Sequence, residues 1–334
     1  MYTIPHPNRL AAVVALIAML TTAGCAAPAT TPGASTPNAV VKPAAMKVGT
    51  LATQDVLPLW VASDKGYATD AGLPSFDVVS FQSAQEQQAA FAAGAVDALM
   101  TDIIVAAKLR ASGTKVVIPT VMLGATTAQG RFAVVAAPKT SPASMTDLKG
   151  VAVGTASGTI TEYVLDKLMA EAGVAPKDIV YEEVPKMPIR FQLLMSGQLK
   201  AASLPEPFVS LALQQGGVIV PGGDDATATE NLSQSVLCVS GKYASTPEGA
   251  AALAGVLKAW DQAVADINAD PSAFRSTLVS KANLPQPLAT SYQVSEYPKA
   301  APPTAGEIQR VLDWMQVKGY LTAPVTPQQL LQGD

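Results

Sequence analysis

The sequence repeats itself approximately, with an offset near 103 residues. The first copy begins at Val48-Gly49-Thr50 and the second at Val153-Gly154-Thr155. In both copies a helical stretch ends at Ala-Gly, a strand-like segment follows, and a second helix ends at glycine before a third strand-like segment. Glycine just past a helix is the usual left-handed cap. Each copy is therefore predicted to be one strand–helix–strand–helix–strand unit.

Units that alternate strands and helices build sheets of parallel strands with helices on both faces. In such sheets, ligands bind beyond the carboxyl ends of the strands. Two units in one chain place two ligand-facing edges against each other. The predicted fold class is therefore α/β, with two doubly wound lobes and a cleft between them.

The chain is predicted to cross between the lobes twice, near Pro138 and near Ser235, and these crossings would act as a hinge. The Ala-rich, helical C-terminal third is predicted to cover the first lobe. The predicted domains are a signal peptide (1–24), a lipidated cysteine with a flexible tether (25–45), a discontinuous first lobe (46–138 and 236–334) and a second lobe (139–235).

Residues 1–24 have the features of a secretory signal. Arg9 supplies the positive charge, and residues 10–20 form an apolar run. This run is too short for a spanning helix, which needs about 20 residues. The segment that ends at Cys25 resembles a bacterial lipobox, in which this cysteine would be acylated, although Thr22 stands where leucine is usual. Simple secretion is the alternative.

The segment after Cys25 is polar and spaced by prolines, which predicts an extended tether between a membrane anchor and the folded part. With Cys25 lipidated, Cys238 is the only other thiol, so no internal disulfide can form. Cys238 lies in the alternating apolar run 235–240, which predicts a buried strand.

Composition excludes several classes of function. Only 14% of the 334 residues are charged, the net charge is -4 and no cluster of lysine and arginine occurs, so there is no electrostatic footprint for nucleic acid. The single histidine, His6, lies in the leader. Its removal would leave no imidazole for a Ser-His-Asp triad, a Cys-His dyad or a histidine-based metal site. We expect no cofactor and no metal.

Three motifs of the folded part carry a family resemblance: 147–159 (DLKGVAVGTASGT), 93–98 (AGAVDA) and 204–207 (LPEP). With the leader and tether, they resemble extracytoplasmic solute-binding proteins of ABC importers, in the group that includes nitrate, sulfonate/taurine and thiamine-pyrimidine binders. The resemblance covers roughly residues 46–331. It implies a type II periplasmic-binding-protein fold. It also implies a lipid-anchored monomer that closes on one solute and presents it to an ABC permease with its ATPase.

The loop after the first strand supplies the leading candidate contacts, Thr53, Gln54 and Asp55. Its backbone N–H groups and polar side chains are expected to face the cleft. Alternatively, these residues only cap the helix that begins near Leu57. Trp60 matches a position where the solute-binding family that this sequence resembles has an aromatic residue. Its ring could stack on a flat ligand, or alternatively it could pack in the core.

The equivalent loop of the second copy supplies Ser157, Gly158 and Thr159. Glycines allow close approach of the backbone, and a helix N-terminus offers unpaired N–H donors to a ligand oxygen. The loop lacks the lysine of a Walker motif and the glycine spacing of a dinucleotide fingerprint. Simple helix capping is the alternative.

Thr101-Asp102 and Glu206 lie at matching strand ends and are expected to face each other across the cleft. With Asp55 they place three acids there, against two basic candidates, Arg131 and Arg190. A buried carboxylate needs a donor from the ligand or from a neighbour. This balance favours a ligand with N–H donors, such as an amino-heterocycle, over an organosulfonate, nitrate or other oxyanion.

The sequence therefore predicts a binding protein that performs no chemistry. Thiamine-pyrimidine synthases share the architecture but consume an active-site histidine, which the mature chain would lack. A hydrolase built on acidic pairs finds no supporting motif. An extracytoplasmic sensor that signals to a receptor without transport is the remaining alternative.

Overall fold

The computed structural model describes residues 41–126, 129, 131–232, 234–282, 284 and 288–333. The predicted signal peptide, Cys25 and most of the predicted tether lie outside the described residues. Residues 41–334 form one compact unit. Within the described part of the chain, no helix has both the length and the apolar character that crossing a membrane requires.

Ten strands form two five-stranded sheets among the described residues. They are β1 Met46–Leu51, β2 Phe76–Phe81, β3 Ala98–Asp102, β4 Val116–Leu123, β5 Phe132–Ala136, β6 Ala152–Thr155, β7 Val180–Glu183, β8 Ala201–Pro205, β9 Val218–Asp224 and β10 Ser235–Ser240.

Helices cover both sheets. They are α1 Leu57–Asp64, α2 Tyr67–Asp70, α3 Ala84–Ala92, α4 Ile103–Ala111, α5 Ile160–Glu171, α6 Met187–Met195, α7 Phe208–Gln214, α8 Gly241–Ala244, α9 Pro247–Ala269, α10 Arg275–Lys281, α11 Leu288–Ser291, α12 Ala305–Lys318 and α13 Pro327–Gln332.

The internal repeat is confirmed as a structural repeat. The first sheet has the order β2-β1-β3-β10-β4 and the second has β7-β6-β8-β5-β9. In each, the first strand of the repeat pairs in parallel with the second and third, so β1 lies between β2 and β3 as β6 lies between β7 and β8. We call the part built on the first sheet the first lobe and the part built on the other the second lobe.

Both sheets are mixed, because each is completed by antiparallel strands. β10 pairs antiparallel with β3 and β4, and β5 pairs antiparallel with β8 and β9. The chain leaves the first lobe after β4 and returns to it with β10. The first crossing thus precedes β5, so β5 belongs to the second lobe. The predicted lobe boundary at residue 138 placed β5 in the first lobe and is wrong. Local sequence predicts the strand but not its partner, because the pairing is a long-range contact.

The first glycine of each repeat lies where a side chain would be crowded. A Cβ atom on Gly49 would approach Leu99 Cδ2 to 3.1 Å, and one on Gly154 would approach Leu199 Cδ1 to 2.6 Å. Glycine in a strand commonly marks such close packing. The crowding comes from equivalent positions of the two copies. Gly49 is surrounded by Val96 and Leu99, and Gly154 is surrounded by Leu199 and Ala202.

The C-terminal third packs on the first lobe as expected, and it also reaches the second. α9 packs on α1, and Trp260 in α9 lies edge-on to Tyr297, with ring centroids 6.4 Å apart. α12 packs on α4 of the first lobe. From the same helix, Trp314 Nε1 donates to Asp166 Oδ2 of α5 at 2.9 Å.

We call residues 305–321, which hold α12 and the turn after it, the C-terminal strap. Lys318 Nζ lies 2.6 Å from Glu162 Oε1, and Tyr320 Oη donates to Glu162 Oε2 at 2.7 Å. Glu162 is almost fully buried, and these partners hydrogen-bond and pair with its carboxylate group inside the protein. The strap therefore joins the two lobes at one side of the molecule, whereas sequence analysis assigned this region to the first lobe alone.

The crowding at the repeated glycine predicts a stability difference between two matched substitutions. Gly154→Ala should lower the free energy of unfolding by about 1–3 kcal/mol, because the new methyl group overpacks the second lobe. Gly306→Ala, at a helical glycine with no atom within 4 Å of a Cβ, should be neutral or stabilise by up to about 1 kcal/mol. Urea denaturation of both variants measures the difference. Equal stability would contradict the assigned packing.

Candidate ligand-binding cleft

A cavity of about 70 Å³ lies between the lobes, and we call it the inner cavity. Its walls come from the carboxyl ends of β1, β3, β6 and β8 and from the loops that follow them. This is the arrangement predicted from the repeat, with two ligand-facing sheet edges opposite each other. The volume is enough for a few water molecules or a small polar group.

The structure brings most of the predicted site residues to this cavity. The predicted residues that line it are Thr53, Gln54, Asp55, Thr101, Asp102, Thr159 and Glu206. Both predicted basic candidates, Arg131 and Arg190, also line it. Three predicted residues, Trp60, Ser157 and Gly158, do not line the inner cavity.

Trp60 packs in the core of the first lobe and is only 4% exposed. It lies in the first half of α1, a helix whose residues 57–62 are all buried. The ring is therefore a packing residue, which was the alternative reading of its position. Stacking of Trp60 on a ligand in the inner cavity does not fit this structure.

The N–H donors of the second-lobe loop are already paired within the protein. The backbone N of Ser157 donates to Glu183 Oε2 at 2.9 Å, and its hydroxyl donates to the same oxygen at 2.6 Å. The backbone N of Gly158 donates to Glu162 Oε2 at 2.6 Å. In this conformation, the carboxylates of Glu183 and Glu162 accept the hydrogen bonds that the sequence suggested a ligand oxygen would accept.

Asp102 links the two lobes through both of its carboxylate oxygens. Oδ1 accepts from the backbone N of Val105 at 2.7 Å and caps α4, while Oδ2 accepts from the backbone N of Ile160 at 3.0 Å, at the start of α5. Negative charge is favourable at both helix N-termini. Burial raises the pKa of Asp102, and the backbone hydrogen bonds oppose that rise.

Glu206 is also held by neighbours. Its oxygens accept from the backbone N and the hydroxyl of Ser210 at 3.1 and 2.9 Å. Arg131 NH1 lies 3.9 Å from Glu206 Oε1, and its NH2 lies 2.7 Å from Asp224 Oδ2. Burial raises the pKa of Glu206, and the hydrogen bonds from Ser210 oppose the rise. Thus both carboxylate oxygens of Asp102 and of Glu206 already accept hydrogen bonds from the protein.

Three buried polar atoms of residues that line the inner cavity lack a hydrogen-bond partner among the described residues. They are Gln54 Nε2, Asp55 Oδ1 and Gln234 Oε1. A buried polar group without a partner costs about 1–3 kcal/mol. Such a group in a cavity is expected to meet a ligand or water. The three atoms provide one donor and two acceptors.

The orientation of the Gln54 amide is set by the C-terminal third. Tyr292 Oη donates to Gln54 Oε1 at 2.6 Å, and Ser295 Oγ donates to the same atom at 3.3 Å. Tyr297 Oη donates to the Gln54 backbone oxygen at 2.6 Å. With Oε1 occupied in this way, the Nε2 donor is left for the cavity.

Asp55 and Arg190 are the other two ionisable residues that line the inner cavity. Burial raises the pKa of Asp55, and the hydroxyls of Ser235 and Thr53 oppose that rise. Arg190 is fully buried, and its Nε donates to the Val184 backbone oxygen at 2.9 Å. Burial lowers the Arg190 pKa to about 10, so the guanidinium stays cationic at neutral pH.

Sequence reasoning did not identify Gln234. It lies in the return crossing just before β10, far along the chain from the repeated strand–helix loops that suggested the other candidates. No local pattern marks this glutamine.

Among the described residues, no group of three or more histidine, cysteine, aspartate or glutamate side chains is arranged to hold a metal ion.

The return crossing begins at a buried acid, Asp225, beside the network of Arg131 and Asp224. Asp225 Oδ1 has no partner among the described residues. Burial raises the pKa of Asp225 to about 8, with a smaller contribution from the Asp224 charge, while the Phe132 backbone N and Arg131 lower it.

This raised pKa predicts a pH dependence of stability. Between about pH 4 and pH 8 the folded protein keeps a proton on Asp225 that the unfolded chain has lost, so stability falls as pH rises through this window. The neutral variant Asp225→Asn should therefore show a smaller drop in Tm from pH 5 to pH 8 than the unchanged protein. Asp77→Asn, at an exposed acid, is the control and should keep the original slope. Parallel slopes for all three proteins would contradict the assignment.

A model of the NMT1-like family matches residues 39–279. Comparison with curated proteins gives no match. The fold is similar to those of two binding proteins. One is the periplasmic aliphatic sulphonate-binding protein SsuA from Escherichia coli (TM-score 0.70, 21% identity, 87% of this chain and 98% of that chain). The other is the periplasmic nitrate-binding protein NrtA from Synechocystis PCC 6803 (TM-score 0.68, 15% identity, 87% and 86%).

A third similar structure is a DszB mutant in complex with biphenyl-2-sulfinic acid (TM-score 0.59, 14% identity, 86% and 96%). At these identities the structural comparisons establish the fold, and they confirm the predicted periplasmic-binding-protein architecture.

Proposed function

Because the chain belongs to the NMT1-like family, we propose that it is an extracytoplasmic solute-binding protein of an ABC-type importer. It encloses one small solute between its lobes and delivers it to a permease that works with an ATPase. The observation that carries the proposal is the inner cavity, with the unpartnered atoms of Gln54, Asp55 and Gln234 at the facing sheet edges. Two of the structural neighbours are described as periplasmic binding proteins.

The unpartnered atoms favour a solute that carries both N–H donors and an acceptor. Asp55 Oδ1 and Gln234 Oε1 call for donors, and Gln54 Nε2 calls for an acceptor. A small nitrogen-containing organic molecule, such as a thiamine-pyrimidine-like heterocycle, meets these requirements. Asp102 and Glu206, which sequence analysis assigned to the ligand, line the cavity, but their oxygens already accept hydrogen bonds from protein donors.

An oxyanion is the second candidate, and two specific observations favour it. Arg131 and Arg190 both line the inner cavity, and a guanidinium binds planar oxyanions through paired N–H donors. The neighbours SsuA and NrtA are described as binding sulphonate and nitrate, and DszB as complexed with a sulfinic acid. One observation disfavours an oxyanion: Arg131 already forms an ion pair with Asp224 and lies near Glu206.

Binding without chemistry is favoured over catalysis on the same fold. Residues 7–334 contain no histidine, so imidazole-based acid–base or nucleophilic catalysis is not available to them. Cys238 is fully buried in β10, and burial raises its thiol pKa well above the usual value, which disfavours a nucleophilic role. Sensing without transport remains a competing outcome, which a receptor partner in place of a permease would reveal.

The leader pattern supports export and lipid attachment through Cys25, with the polar tether holding a monomeric binding protein at a bacterial membrane. Radiolabelled palmitate incorporation in cells, lost in Cys25→Ala, would support the anchor. Release of soluble protein with an unlabelled N-terminus would favour simple secretion.

A ligand screen tests the proposed binding function. Protein lacking residues 1–25 retains the whole compact unit 41–334. We expect one class among aminopyrimidines, amides, sulfonates and nitrate to raise its Tm, because a ligand at a hundredfold excess over Kd stabilises by about 2.7 kcal/mol. If no compound shifts the Tm and native mass spectrometry shows no retained solute, the binding function is contradicted.

Two variants distinguish the ligand classes. Asp55→Asn should weaken a donor-bearing ligand by roughly tenfold or more, because a charge-assisted hydrogen bond contributes about 1.5–3 kcal/mol, and it should leave an oxyanion unchanged or tighter. Arg131→Met should weaken an oxyanion and affect a donor-bearing solute little. Isothermal titration calorimetry gives both affinities, with the exposed Asp77→Asn as control. Unchanged affinity in both site variants would show that the inner cavity is not the binding site.

A further inference from the structure

A second and larger cavity adjoins the inner cavity. It has a volume of about 480 Å³, and we call it the annex. Like the inner cavity, it lies between the lobes, with walls from the β1 and β2 ends of the first lobe and from α6 and α7 of the second. Its apolar walls are formed mainly by Phe81, Met187, Phe191, Phe208, Leu211 and Leu284.

The two cavities share walls. Leu51, Thr53 and Met187 line both of them. The inner cavity and the annex are therefore adjacent within the cleft, separated by no more than these three residues.

The chemistry of the two compartments differs. The inner cavity is lined by three carboxylates and two guanidinium groups. The described residues that line the annex include no charged side chain, and its polar residues are Thr53, Ser80, Gln82 and Gln192. The ion pair of Lys186 Nζ with Glu86 Oε1, 2.9 Å apart between the lobes, does not line it.

Two aromatic rings that pack against each other form part of the apolar wall of the annex. The rings of Phe191 and Phe208 pack in a tilted pair with centroids 5.9 Å apart. Phe208 is buried in the apolar cluster of the second lobe, and Leu211 is buried in the main cluster of the first lobe, so the packing of both lobes holds the annex wall in place. Apolar surface of this kind is freed from water when an alkyl or aryl group covers it.

Size also argues for a two-part ligand. The inner cavity, at about 70 Å³, accommodates little more than a polar head group, whereas the annex is several times larger. We propose that the annex is a second ligand subsite, and that the solute is amphipathic, with a compact polar head in the inner cavity and an uncharged alkyl or aryl substituent in the annex. The proposal rests on the proposed binding function and names the substrate class of that site.

Homologous series of ligands test the subsite directly. The probes are primary carboxamides from acetamide to hexanamide and sulfonates from methanesulfonate to hexanesulfonate, measured by calorimetry on protein lacking residues 1–25. In the series whose head group binds, affinity should rise by about fourfold for each added methylene, because each buried methylene contributes about 0.8 kcal/mol.

A variant that fills the annex links this gain to its location. Ala52 lines the annex but not the inner cavity, so Ala52→Leu should reduce the gain with chain length and leave the shortest members bound as before. Val317→Leu, on a side chain 87% exposed on the C-terminal strap, is the matched control and should keep the full gain. Unchanged Tm of the unliganded variants confirms that both remain folded.

The outcomes separate the two claims. Binding of short members with no gain along the series overturns the annex subsite and leaves the binding function intact. A gain that Ala52→Leu does not reduce places the substituent elsewhere and also overturns the subsite. If no member of either series binds, the proposed amphipathic class is overturned, and the broader ligand screen alone then decides the binding function.

Discussion

The two lobes are joined inside the cleft by one carboxylate, Asp102, which caps helices on both sides of it. It accepts from the N-terminus of α4 in its own lobe and from that of α5 in the other. Two helix dipoles then stabilise a charge that burial alone would disfavour. The geometry of the inner cavity follows from this contact, because Asp102 and the loop before α5 form adjacent parts of its wall.

The C-terminal third acts on the cleft from two directions. Through Tyr292, Ser295 and Tyr297 it orients Gln54, so that a donor faces the inner cavity. Through the C-terminal strap it also holds Glu162. The same carboxylate accepts a hydrogen bond from the backbone N of Gly158 in the second-lobe loop. A region that looks like helical covering in the sequence thus positions groups on both sides of the cleft.

The chemistry available to a ligand is what remains after the protein's own groups have paired. Counting acids in the sequence suggested three carboxylates facing a solute, but Asp102 and Glu206 are engaged by backbone and hydroxyl donors. The preference for a donor-bearing solute therefore rests on Asp55 and on Gln234, together with the unpartnered donor of Gln54. The annex adds an apolar component that no motif in the sequence indicated.

The sequence by itself determined the repeat, the order of strands and helices within each copy, and the strand-end loops that reach the cleft. These features follow from local periodicity and from glycines, such as Gly49 and Gly154, at positions where a side chain would be crowded. Only the tertiary structure decided which sheet β5 joins, that Trp60 is a core residue, and that Gln234 faces the cavity. It also decided which polar atoms are left for a ligand. The physical reason is that strand pairing, burial and hydrogen-bond partnership are contacts between residues distant in the chain, and local patterns carry no information about them.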